Sequence, residues 1–316
     1  MTDMQTDRYL YTYVRQTDDH DLCRLEMRAL FGKDTGGNYL FSDRCLDPER
    51  SPFMKERLDI LFAADSVEEI TRFSASIPND GKTFQIRCLN TMDLGETKKI
   101  PHPERRRIER AVGLPMAAEA DLFTPDTLFG VVRVGDLFLF GSLTENTASW
   151  RNHIQKPEMY STALSTHVAR AVANIAVPQP EGIRAIDPCC GIGNVLVEAR
   201  SMDIDMVGRD INPLAVLGSR KNLEHFGLAG IVAVGPIEEA AGHYDAAVID
   251  MPYNLYTHAT REQQASILQA ARPLTDRLVL VTIEPMDDLL ADAGFEVTDR
   301  CIARKAHFER EVVVCK

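Results

Sequence analysis

The sequence predicts an α/β chain in two parts: a C-terminal doubly wound, mostly parallel sheet with an antiparallel edge hairpin, preceded by a smaller α+β module. Three observations carry this. From residue 161 onward, apolar runs of strand length alternate with amphipathic helical stretches, the pattern of a parallel sheet. The last two such runs, 295–303 and 308–315, are joined by a short polar turn, as in a hairpin on the edge of an otherwise parallel sheet. The first 150 residues carry strands and helices without that alternation.

In chain order, the front half reads as strands at 9–15, 58–63, 83–89 and 129–133 with helices at 19–31, 66–76 and 105–112, the turn-rich 77–82 dividing the module into two lobes. A boundary is expected within 141–157, a polar stretch that breaks all periodicity and ends in Lys156-Pro157, giving domains 1–145 and 146–316. A linker helix follows at 165–175, with Val168, Ala171, Val172 and Ile175 on one side. Strands then fall at 182–187, 205–210, 231–235, 244–250 and 277–284, with a helix at 286–293 before the closing pair.

A length of 316 residues suffices for two cores, and 45% apolar with 26% charged residues excludes disorder and fibrous repeats. The net charge of −12 argues by itself against a polyanionic partner and towards a small-molecule enzyme. Neither a leader peptide nor a membrane span is expected. The seven scattered cysteines contain no C-x-x-C pair, which points to reduced thiols in the cytoplasm and to no metal site.

The most informative stretch is R-A-I-D-P-C-C-G-I-G-N-V-L-V-E-A at 184–199. A strand ending in Asp187 runs through Gly191 and Gly193 into a helix, so bare backbone amides are expected beside a carboxylate, a place for a nucleotide-like ligand. The next strand ends in Asp210, where an acid reads a ribose diol and repels a phosphate. Dinucleotide binding wants G-x-G-x-x-G; here Asp187 suits an ammonium-bearing ligand, which favours S-adenosylmethionine over a nicotinamide cofactor. The strand at 244–250 delivers Asp250, then Met251, Pro252 and Tyr253, at the edge where open α/β sheets place their sites. An aromatic exocyclic amine is a poor nucleophile. With such an amine as substrate, the Asp250 carboxylate and the Met251 carbonyl would accept its hydrogens and aim its lone pair, Pro252 would fix the backbone and Tyr253 would stack on the base. Taken alone, Asp250 reads equally as a cap of the next turn and Tyr253 as core.

These two segments resemble the THUMP-linked RNA (tRNA) guanine-N2 methyltransferases. The stretch D-P-C-C-G-I-G-N-V-L-V-E-A is similar to their D-P-[FC]-C-G-[TS]-G-[TG]-[IV]-L-[IV]-E-A, D-M-P-Y at Asp250 to Tyr253 to their D-P-P-Y, and K-A-H-F-E-R-E-V-V-V-C at 305–315 to their closing hairpin. The resemblance covers residues 150–316 well. It implies a Rossmann-like methyltransferase fold that uses S-adenosylmethionine to methylate the amino group of guanosine, with Cys189, Ile211, Ile237, Tyr160 and Ser161 joining Asp187, Gly191, Gly193 and Asp210 around the donor. Two positions depart. Met251 replaces the usual first proline, and Pro236 stands where relatives commonly carry an acid for the adenine amino group, leaving that contact to a backbone group or Glu238. An adenine-amino methyltransferase on DNA or RNA, a small-molecule methyltransferase, and a catalytically weak RNA-binding factor on the same scaffold remain open alternatives.

In the front half, Lys98, Lys99, Arg105, Arg106, Arg107 and Arg110 face only two glutamates within residues 98–110. The order of strand, basic helix and strand resembles half of a THUMP domain, which implies RNA, most simply tRNA, as the partner of this patch; read by itself, the patch is equally a solvated helix face. Arg151, His153 and Lys156 read equally as solvated linker charges or phosphate contacts.

Overall fold

The computed structural model describes residues 8–14, 17–34, 37–90, 100–160, 163–252, 259–305 and 308–316. It divides into two compact units, Met1–Val14 with Thr35–Thr147, and Arg15–Asp34 with Ala148–Lys316.

The first unit holds strands β1 (Tyr9–Tyr13), β2 (Tyr39–Ser42), β3 (Met54–Ala64), β4 (Phe84–Cys88), β5 (Thr127–Val134) and β6 (Leu137–Glu145) in one sheet of order β2-β1-β3-β6-β5-β4. Only the β4–β5 pair is parallel. One continuous sheet replaces the two expected lobes. Its residues alternate between two apolar clusters. Phe84, Ile86, Phe129 and Val131 face the buried sides of the helices at Val67–Ser74 and His102–Gly113, while Leu58, Val132, Leu139 and Leu143 share the other cluster.

The stretch 141–157 is not linker throughout: β6 runs to Glu145 in the middle of the sheet, and the two units divide between Thr147 and Ala148. Gly141, which reads as a breaker, stands opposite Ile60 just before a bulge in β3, and a Cβ there would lie 1.9 Å from the Asp59 carbonyl oxygen. The glycine admits close strand packing.

The second unit begins with α1 (His20–Phe31), expected in the front module. Its Leu22, Leu25, Met27 and Leu30 are buried. Glu26 accepts a hydrogen bond from Asn174 Nδ2 at 2.7 Å, and Arg28 makes a two-pronged pair with Asp299 at 2.7 and 2.8 Å. Nothing in its local sequence distinguishes these attachments, all to residues more than 140 positions away, from those of a helix covering the nearby strands.

The remaining elements are α2 (Val67–Ser74) and α3 (His102–Gly113) in the first unit, and in the second α4 (Thr166–Ala176), β7 (Arg184–Asp187), α5 (Asn194–Ser201), β8 (Asp205–Asp210), α6 (Pro213–His225), β9 (Val232–Val234), β10 (Ala246–Asp250), α7 (Arg261–Ala271), β11 (Leu278–Thr282), α8 (Asp287–Asp292), β12 (Val297–Lys305) and β13 (Phe308–Cys315). Starts are set locally: Asn212 caps α6 ahead of Pro213, and Thr260 and Gln263 form a reciprocal capping box on α7. The seven-stranded sheet has the order β12-β13-β11-β10-β7-β8-β9, parallel from β11 to β9 and antiparallel in the β12–β13 and β13–β11 pairs. The doubly wound sheet with its edge hairpin is therefore present, with β13 slotted inside and β12 on the edge. Helices cover the central strands, and all five residues of β11 are buried. The chain starts mid-sheet at β7, runs outward to β9 and returns to β10, so the β7–β10 seam is the switch point where such sheets bind ligands. No helix among the described residues is long and apolar enough to cross a membrane.

Gly141→Ala is expected to destabilise the first unit by about 3 kcal/mol, the upper range for forcing an atom into a packed site. Urea denaturation followed by far-ultraviolet dichroism measures this; an unchanged midpoint would contradict the β3–β6 register.

Candidate active site

The turn after β7 is held by carboxylates. Asp187 Oδ1 accepts from Cys189 N at 3.3 Å, Asp210 Oδ2 from Gly191 N at 2.8 Å, and Asp210 Oδ1 from Asn212 N at 2.8 Å. Cys190 N donates to Arg209 O at 2.9 Å and Gly193 N to Cys190 O at 2.8 Å. The bare amides expected here are thus largely engaged: buried N–H groups must be satisfied, and the two acids and the β8 backbone do it. The glycines differ in purpose. Gly191 has φ +53° and open space around its Cα, whereas at Gly193, φ +79°, a Cβ would lie 2.2 Å from Ser219 Oγ, so this residue serves the packing of α6.

Asp187, Asp210 and Asp250 end β7, β8 and β10, three adjacent strands, and all line one cavity of about 180 Å³ together with Tyr160, Gly191 and Met251. Burial pushes the Asp187 carboxyl well above the usual range; the Cys189 N–H pulls it down, and the charges of Asp250 and Asp210 push it up. Burial raises Asp250 to about 7, with Arg310 opposing. Asp250 Oδ1 is buried and finds no hydrogen-bond donor among the described residues. Such a site repels a pyrophosphate and attracts a cation, and carboxylates that accept two N–H bonds still hold lone pairs for a diol.

The segment before α4 is fastened to this turn. Asn194, first residue of α5, accepts from Lys156 Nζ at 2.9 Å and donates to Leu164 O at 2.5 Å. His153 Nδ1 lies 2.8 Å from Glu198 Oε1, whose other oxygen accepts from Arg170 at 2.8 Å, and Glu198 is fully buried. Glu158 N donates to Asn222 Oδ1 at 3.0 Å, and Asn222 Nδ2 donates to Glu158 O at 3.1 Å. His153 and Lys156 are therefore engaged within the unit, while Arg151 lies over the Trp150 ring at 5.6 Å.

Of the expected donor residues, Asp187, Cys189, Gly191, Asp210 and Tyr160 line the cavity, as do Asp250, Met251 and Pro252 of the expected catalytic set. Met251 is buried and its N–H is bonded to Val281 O at 2.8 Å. Ile211 is exposed beside Asp210, and Ile237 packs into the hydrophobic core. Pro236 O accepts from Arg209 Nε at 2.8 Å, and Glu238 accepts from Ser266 at 2.9 Å. Tyr253 and Ser161 lie outside the described residues, as do Lys98 and Lys99. In α3, Arg106 and Arg107 are exposed and paired with Glu109 and Glu104, Arg110 is exposed, and Arg105 is half-buried. No group of three or more His, Cys, Asp or Glu side chains suited to a metal occurs among the described residues.

Sequence reading overlooked Arg310 and Asn194. Arg310 is a buried cation within the apolar alternation of β13, and that break was its signal. Asp250 registers with Val281 and Val281 with Val312, so Arg310, two residues from Val312, shares the Asp250 face of the sheet. Asn194 had no signal beyond its place after Gly193.

Residues 154–287 match the family described as UPF0020, RMKL-like, methyltransferase domain. The chain is 28% identical over 179 residues to a tRNA (guanine(10)-N2)-dimethyltransferase of Methanothermobacter thermautotrophicus, covering 52% of each chain. It is 27% identical over 219 residues to the protein of the same name from Methanocaldococcus jannaschii, covering 61% of this chain and 60% of that one. The match therefore spans about half to three fifths of the length of these relatives. Among solved structures, TrmN from Thermus thermophilus aligns over 98% of this chain and 99% of its own at 18% identity, with a TM-score of 0.48.

Because Asp250 titrates near 7 when folded and near 4 when unfolded, the folded state binds more protons between about pH 4 and 7, and stability falls as pH rises through that window. Asp250→Asn is expected to be more stable than the parent at pH 8, by up to about 4 kcal/mol, with no comparable gain at pH 4. Urea denaturation at both pH values checks this; an equal difference at the two would contradict it.

Proposed function

We propose that this chain is an S-adenosylmethionine-dependent methyltransferase acting on the exocyclic amino group of guanosine in tRNA. The observation that carries the reading is Asp250, a half-buried residue at the tip of β10 whose enclosed Oδ1 has no donor among the described residues, lining the same cavity as the acidic glycine turn. The methyltransferase-domain match over residues 154–287 and the two tRNA-modifying relatives support it.

S-adenosylmethionine supplies an electrophilic methyl group on a sulfonium. The cavity fits it: Asp187 takes the ammonium end, Asp210 offers its free lone pairs to the ribose diol, Gly191 leaves room at the turn, and Tyr160 and exposed Ile211 border the bound molecule. Asp250 and the Met251 carbonyl accept the two amine hydrogens of the base, so that the nitrogen lone pair points at the methyl. The Asp250 carboxylate would stabilise the positive charge that the amine nitrogen acquires on taking the methyl from the sulfonium, whose S–C bond breaks to leave a neutral thioether, and would then take the nitrogen's proton. Pro252 holds the backbone that presents the carbonyl. Tyr253 stacks on the base, a contact worth ~1–3 kcal/mol.

In this reading the first unit is a THUMP-like RNA-binding module, with Arg105, Arg106, Arg107 and Arg110 of α3, joined by Lys98 and Lys99, meeting phosphates. The acidic remainder of the chain confines RNA to that surface and to the catalytic edge. The compartment that goes with the reading is the cytoplasm.

Labelled-methyl transfer to unmodified tRNA, followed by nucleoside mass spectrometry, is expected to give N2-methylguanosine; methylated adenosine would overturn the assignment of the base. Asp250→Ala is expected to lower kcat by about 10³-fold, with donor Kd by calorimetry within about threefold of the parent; undiminished transfer would overturn the chemistry. Since Asp250 must be ionised, kcat/KM is expected to rise about tenfold per pH unit below pH 7 and to level off above it.

A further inference from the structure

A second cavity adjoins the first. It encloses about 340 Å³, within the size range of small-molecule sites, and shares Tyr160, Leu164, Ile192 and Asn194 with the carboxylate-lined pocket. The two differ in sign, for no carboxylate lines the second among the described residues. Its basic groups are His167, whose Nε2 lies 3.2 Å from Asp19 Oδ1, and Lys156, whose ammonium donates to the neutral amide of Asn194 at 2.9 Å. Glu198, the carboxylate whose field reaches Lys156, is already bonded to Arg170 and His153.

The rim is apolar and open: Ile154, Met159 and Tyr160 are 52%, 65% and 48% exposed. Three large exposed apolar side chains around one cavity mark a contact surface. Trp150 Nε1 and Ser165 Oγ, in the same wall, have no hydrogen-bond partner among the described residues, so the wall retains donor capacity. Flat apolar surface beside a cation bonded, among the described residues, only to a neutral amide is what a single-stranded nucleotide needs, with its base stacked and its phosphate paired. The donor, which brings its own positive charge, belongs on the carboxylate side of the shared wall.

We propose that this cavity seats the nucleotide next to the target guanosine in the RNA chain, its base against Tyr160 and Met159 and its phosphate at Lys156. The inference rests on the RNA reading above. It assigns the linker before α4 to the substrate path: the ties of Lys156 and Leu164 to Asn194 set the neighbouring nucleotide and the target base in fixed relation.

The test uses the full chain, unmodified tRNA transcript, and the variants Lys156→Gln, Lys156→Arg and Met159→Glu. Gln keeps a donor for Asn194 while removing the charge, and Met159 is exposed, so neither change strips the core. Lys156→Gln and Met159→Glu are expected to raise KM for tRNA about tenfold, with donor Kd by calorimetry within about twofold. For Lys156→Gln alone, the slope of log KM against log salt is expected to shrink by about 0.7, the value for one lost contact to a single-stranded phosphate, and Lys156→Arg is expected to restore it. A structural role for Lys156 would not move that slope. Unchanged KM and slope would overturn the proposal. So would weaker donor binding at unchanged tRNA KM, which would assign Lys156 to the donor's carboxylate. RNA binding by fluorescence anisotropy is read in parallel: a parent protein whose binding shows the Lys156-dependent slope but which transfers no methyl would overturn the catalytic reading and support the nucleotide seat.

Discussion

Three carboxylates at the carboxyl ends of three adjacent strands are the constraint on which the second unit depends. Asp187, Asp210 and Asp250 share one small cavity, in surroundings that penalise charge, and the charges of Asp250 and Asp210 add to the burial that raises the proton affinity of Asp187. Left to side-chain freedom, such a cluster would disperse. The sheet prevents this, because each acid is the last residue of a strand whose backbone is bonded to its neighbour, and the strands are buried in the core. Part of the repulsion is relieved where Asp210 and Asp187 accept turn amides and where Arg310 faces Asp250. What remains is an affinity for a cation and a carboxyl poised near neutrality. A functional site often holds such locally unfavourable arrangements that the rest of the fold stabilises.

The surrounding parts make that arrangement rigid. Asn194 and Asn222 tie the segment before α4 to the helices flanking the glycine turn, and the buried Glu198 joins α4, α5 and that segment through Arg170 and His153. Removing one partner of such a group leaves an uncompensated buried charge, so the network acts as a unit. α1 extends the same logic to the far side of α4, where Glu26 and Asn174 are both fully buried and bonded to each other.

The fold was legible where periodicity and turn chemistry agree. The strands ending in Asp187, Asp210 and Asp250, the helices between them and the closing hairpin follow from apolar runs and glycine punctuation. The glycine turn and the acid at each strand end were visible for the same reason. What escaped was non-local. The destination of α1 depends on Asn174 and Asp299, far along the chain. β6 was hidden because Gly141, placed for a close approach to Asp59, looks like a loop residue. The amides expected to be bare at the turn are engaged because Asp210 folds back onto Gly191, which spacing cannot reveal. Arg310 reaches the site through strand register, two pairings removed from Asp250.

If the carboxylate cluster holds a cationic methyl donor, binding is linked to protons. Calorimetric titration of S-adenosylmethionine at about pH 6.5, in two buffers of different ionisation enthalpy, measures protons exchanged on binding. A bound cation lowers the proton affinity of neighbouring carboxyls, so release of up to about one proton is expected, most of it lost in Asp250→Asn. Binding with no proton release, or with proton uptake, would contradict that role of the cluster.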